Sequence, residues 1–128
     1  MSLPKAWALG DDNQSGASSN YVVKGVPKRR NSDGTYTYGS TVTLIDHSST
    51  ALNSGAQSEG AAQDNDTDDF DEVDCFIEGT LGTGTGGVIS IFLLHADSSA
   101  NFPSDPRSGE NVHAFTPGET APPLNFVI

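Results

Sequence analysis

Three histidines, one cysteine and seventeen carboxylates are the side chains here that could do chemistry. His47, His95 and His113 stand far apart, and none has metal-ligand spacing to another histidine or to the cysteine. His95 closes a hydrophobic run beside Asp97, so the pair could act as acid and base; the same placement suits a structural strand-end histidine. No serine sits in a G-x-S-x-G turn. Asp71 and Glu72 are adjacent, so in a strand they point to opposite faces and cannot flank one substrate bond. Cys75 alternates with apolar residues, as a core thiol does. The residues therefore point away from an enzyme, with no catalytic group to name.

Two motifs come close to a cofactor site. Gly82-Thr83-Gly84-Thr85-Gly86-Gly87 matches G-x-G-x-x-G but leads into a second strand, whereas phosphate binding needs the N-terminus of a helix. Asp64-Asn65-Asp66-Thr67-Asp68-Asp69 opens like a calcium loop, yet an EF-hand requires glycine in place of Asp69 and glutamate in place of Cys75. Clustered carboxylates leave a looser calcium site open beside the reading as a solvated acidic loop. No cofactor or metal is assigned.

The elements that must carry these residues are strands. Tyr21–Val26 is short and rich in valine, and Asn31-Ser32-Asp33-Gly34 is a strong turn signal. Thr35–Asp46 continues as strand, with Tyr36 and Tyr38 on one face, a bulge at Gly39, and Val42 and Leu44 sharing a face. Val73, Cys75 and Ile77 alternate with Asp74, Phe76 and Glu78. Val88–Leu94 is short, β-branched and bounded by turn signals, as a central strand is. Val112–Phe115 and Leu124–Ile128 complete the set. Residues 47–69 have no periodicity and Leu52 as their only large apolar residue, which reads as a long surface loop. The fold class is all-β, a single β-sandwich of jelly-roll type with long loops. Residues 1–19 are expected to form an extended N-terminal arm, and residues 20–128 the sandwich.

Composition narrows the partners. The chain has 128 residues and 34% apolar residues, enough for one domain with a thin core that gains from neighbours. A net charge of −11 disfavours nucleic acid and anionic membrane, and no stretch approaches the length of a membrane helix. Met1–Gly10 is too short and mixed for a signal peptide, and a lone cysteine suits a reducing cytoplasm. Residues 31–106 hold 13 of the 17 acids and no Lys or Arg, whereas Lys28, Arg29 and Arg30 form a basic run. That asymmetry serves solubility, and it could also draw copies together. Trp7 and Leu9 either anchor the arm on a partner or fold back onto their own domain. Leu124, Phe126, Val127 and Ile128 form an apolar end that must be covered at home or by a neighbour. The expected interface set is thus Trp7, Leu9, Lys28, Arg29, Arg30, Leu124, Phe126 and Ile128.

The run Asp74–Gly87, with Val88–Asp97 and then Asn101-Phe102-Pro103-Ser104-Asp105, resembles small virion proteins of tailed bacteriophages. In those, an alternating strand meets a Gly/Thr turn, followed by a strand ending Tyr-Leu-Leu and a loop with Asp, an aromatic residue, Pro and Asp. Phe92 stands here in place of the tyrosine, and Ala96-Asp97-Ser98 where Leu-Asp-Gly is common. The resemblance implies a structural subunit of capsid or tail, made in the host cytoplasm and located in the virion. Its partners would be copies of itself and other virion proteins, with no catalytic residues. The alternative is a jelly-roll module that binds a host surface glycan or receptor, with Tyr36, Tyr38 and Phe102 as the sugar platform and the Asp64–Asp69 run as its calcium site.

Overall fold

A computed structural model describes residues 3–65, 70–80, 87–96, 101–117 and 124–128. Among these described residues ten strands follow one another: β1 (Ala6–Asn13), β2 (Asn20–Arg30), β3 (Tyr36–Tyr38), β4 (Val42–Asp46), β5 (Gln57–Glu59), β6 (Gln63–Asp64), β7 (Glu72–Thr80), β8 (Ile89–Ala96), β9 (Glu110–Phe115) and β10 (Asn125–Val127). The only helical element among the described residues is a 3-10 turn at Pro106–Ser108. One sheet runs β5-β1-β8-β9, with β6 also on β1; the other runs β10-β7-β2-β3, with β4 also on β2. Every pairing is antiparallel. The chain is thus the all-β sandwich that its turn formers and β-branched residues predict.

Alternation builds the second sheet. Tyr21, Val23 and Gly25 of β2 and Val73, Cys75 and Ile77 of β7 face inward, where they meet Ile89, Ile91 and Leu93 of β8. Gly25 is small because side chains of the strands on either side lean over it: a Cβ there would lie 2.5 Å from Val73 Cγ1 of β7 and 2.9 Å from Leu44 Cδ1 of β4. The turn at Asn31–Gly34 forms as predicted, with Gly34 at φ +89° and the Asn31 amide donating to the Thr35 carbonyl at 2.8 Å. Residues 35–46 make two strands rather than one bulged strand. The chain breaks at Gly39, against the Phe70 ring, and both pieces pair with β2.

The first nineteen residues correct the sequence reading. No arm extends from residue 6 onward: β1 is an inner strand of its sheet, paired with β8 along its whole length and with β5 and β6 on the other side. Trp7 and Leu9 lie in the core between the sheets. The other face of β1 is covered too, since Pro106 sits on Gly10 so closely that a Cβ there would lie 2.6 Å from it. A strand buried on both faces loses the polar alternation that marks half-buried strands.

Residues 47–65 are also tied down more than a surface loop requires. β5 and β6 extend the first sheet, Ser19 bridges to Leu52, and Leu52 is buried. Gly60 passes so near the Leu44 carbonyl that only glycine fits.

Candidate functional site

Sheet packing brings together a cluster that sequence spacing did not reveal. Asp11 of β1 is fully buried and accepts hydrogen bonds from the Tyr21 hydroxyl of β2 and the Ser58 hydroxyl of β5. His47, just past β4, places Nε2 2.9 Å from Asp11 Oδ2 and 3.1 Å from Ser58 Oγ. The Tyr21 ring meets His47 and Phe115 edge-on, at 5.1 and 5.7 Å. Burial, and then the Asp11 carboxylate beside it, hold the Tyr21 proton on far above the usual phenol range.

Serine, histidine and aspartate here do not form a hydrolase relay. In a relay the serine meets one ring nitrogen and the aspartate the other, so the imidazole passes a proton between them. Here both partners share Nε2, and Ser58 donates directly to Asp11. Asp11 is instead a hub that joins β1, β2, β5 and the end of β4. Its neighbours continue the network: Asp12 accepts from Gln14 and Gln57 at 2.9 and 2.8 Å, and Asn13 donates to the Leu52 carbonyl at 2.8 Å. Among the described residues no buried side-chain nitrogen or oxygen lacks a partner.

The residues expected to form an interface separate into two groups. Trp7, Leu9 and Ile128 are buried at home, and Leu124 and Phe126 are half-buried against the same core. The C-terminal segment pairs with β7: Ile128 and Val73 exchange main-chain bonds at 2.8 and 3.0 Å, and Phe126 stacks on His113 at 4.5 Å between ring centroids. Both ends therefore supply core contacts to their own chain. The basic run differs. Lys28 is held by Asp74 at 2.8 Å and Glu72 at 3.3 Å and lies 4.7 Å over the Tyr36 ring; these partners, the Asp74 hydrogen bond first, raise its pKa. Arg29 and Arg30 are exposed at the end of β2.

His95 is exposed, while Asp97, Asp66–Asp69, Gly82–Gly86, Pro122 and Pro123 lie outside the described residues. Among the described residues no three His, Cys, Asp or Glu side chains are grouped to hold a metal. Cys75 is buried, and its thiol is pushed up to about 12 by burial first and the Asp74 charge second, so it is no nucleophile at neutral pH.

The outward face of the second sheet carries an open apolar groove. Val26, Tyr38, Phe76 and Val127 line a groove of about 660 Å³ across β2, β3, β7 and β10, with Asp74 and Asn125 at its rim. Tyr38 and Val127 are each 57% exposed. The charges around it are paired within the sheet: Lys24 with Glu78 at 2.6 Å on one side, Lys28 with Glu72 and Asp74 on the other. No family model, curated protein or solved structure matches the chain.

Proposed function

We propose that this chain is a structural building block of a virion, of the capsid or tail class implied by its resemblance to small phage proteins, and that it acts by binding copies of itself and other virion proteins. The observation that carries the reading is the apolar groove on the second sheet. An acidic chain that pairs two lysines with the carboxylates of one sheet face, and leaves valine, phenylalanine and tyrosine open between them, has a surface suited to protein contact. The polar cluster around Asp11 supports the same reading, because its geometry serves cohesion between strands. The test is quantitative mass spectrometry of gradient-purified particles from cells carrying the gene and its neighbours. Fixed copies per particle are expected; a chain found wholly outside particles contradicts the proposal.

A second reading, a glycan- or receptor-binding module, draws on Tyr36 and Tyr38. Both rings are exposed on β3, 6.3 Å apart, beside Lys28. Aromatic faces with a nearby cation suit an acidic sugar. A glycan array with and without EDTA separates this reading, and its calcium arm, from the first.

A further inference from the structure

One edge strand of the sandwich, β10, lacks the charges that edge strands usually carry, whereas β9 on the same flank begins with the exposed Glu110. Stacking of His113 on Phe126 shows that β9 and β10, each an edge of its sheet, adjoin there. On the opposite flank, β5 and β6 carry Glu59 and Asp64, and β3, itself Tyr36-Thr37-Tyr38, lies directly against three like charges of β2, Lys28, Arg29 and Arg30. Charges of that kind keep strand edges from pairing with another chain. β10 carries none: it is Asn125-Phe126-Val127, and Asp74 beside it is paired with Lys28, which also meets Glu72.

The hydrogen-bond register of β10 determines what could pair with it. Ile128 exchanges both main-chain bonds with Val73, and the Leu124 carbonyl accepts from the Ile77 amide at 2.8 Å. Antiparallel strands alternate, so Phe126 also directs its main-chain groups at β7, while those of Asn125 and Val127 point away from the sheet. A two-fold axis at Phe126 would set Asn125 of one copy opposite Val127 of the other. Both residues then have outward amides and carbonyls in hydrogen-bonding phase.

We infer that β10 pairs antiparallel with β10 of a second copy about a two-fold axis at Phe126, joining the two β10-containing sheets into one. The pattern is self-complementary, as a two-fold contact requires. It also brings chains of net charge −11 together at a strand that has no charged side chain of its own. The apolar grooves, each ending at Val127, would meet at the seam. The inference rests on the assembly reading in giving the chain a protein partner, and it names that partner as a second copy.

Light scattering coupled to size exclusion tests it on the intact chain and on Val127→Lys, an exposed position where folding is checked by circular dichroism. The intact chain is expected at twice 13.3 kDa. Val127→Lys is expected at 13.3 kDa, its dissociation constant raised about tenfold or more. Amide exchange adds a second readout: Asn125 and Val127 should be protected in the intact chain and lose protection in the variant. A lysine variant that dimerises as well as the parent overturns the inference. So does an intact chain that is monomeric throughout; if that chain is still found in particles, the assembly reading stands without this contact.

Discussion

Asp11 is the residue on which the interior of the sandwich turns, since a carboxylate with no exposed surface is stable there only while its donors are in place. Asp11→Asn keeps the size but sets an amide group where an acceptor is needed, against Tyr21, Ser58 or His47. A loss of about 3–5 kcal/mol is expected from urea unfolding, the range for breaking a buried polar pair; a loss under about 1 kcal/mol would remove Asp11 from its role as hub. Cys75 sets a second expectation. Its pKa is about 12 in the folded chain against an ordinary 9.0. Below pH 9 the thiol is neutral in both states and has no effect on pH dependence. As pH rises from about 9 to 12 the unfolded chain gives up the proton and the folded chain does not, so stability falls by about 4 kcal/mol. Cys75→Ala should remove that part of the alkaline slope, leaving the part due to Tyr21; an unchanged slope would refute the assignment. The inward position of Cys75 was legible from its alternation with Phe76 and Asp74. The Asp11 cluster was not, because its members come from four separate stretches and meet only when the sheets pack.

At the scale of elements, the sequence was readable wherever one face of a strand meets water. β2, β7 and β8 show alternation or a β-branched run, and each lies where the pattern put it. β1 broke the rule because both of its faces are covered. Ala8 is small and fully buried, Gly10 is small under Pro106, Asp11 and Asn13 are polar but hydrogen-bonded, and Trp7 and Leu9 are the only large apolar residues of β1. Such a segment has the composition of an arm and the position of a central strand. β5 and β6 were missed for a related reason: two or three polar residues can extend a sheet through main-chain bonds alone. Removing residues 1–10 therefore has a sharper expected outcome than loss of an arm. It withdraws Ala6–Gly10, and with them the pairing to β6 and to Phe92–Ala96 of β8, together with the Trp7 and Leu9 side chains, worth roughly 1.5–3 kcal/mol each. A truncated chain without a cooperative thermal transition is expected; one that melts like the parent would mean that β1 is dispensable.

Across the whole molecule, charge and apolar surface are arranged to leave one sheet face available. The six cations are too few to balance seventeen acids, yet Lys24 and Lys28 are both spent on the second sheet, on either side of the groove. Composition foretold the acidic body and the basic run, but not that the apolar C-terminal segment would close the sandwich instead of leaving it. That depends on its register against β7, which no local pattern encodes. The central claim is that this face is where the protein meets its neighbours. Hydroxyl-radical footprinting measures side-chain exposure directly and can compare the free chain with the chain in purified particles. Oxidation of Tyr38 and Phe76 should fall severalfold on assembly, while exposed residues of the opposite sheet, such as Glu59, keep their rates. Equal oxidation of Tyr38 and Phe76 in both states would contradict the claim.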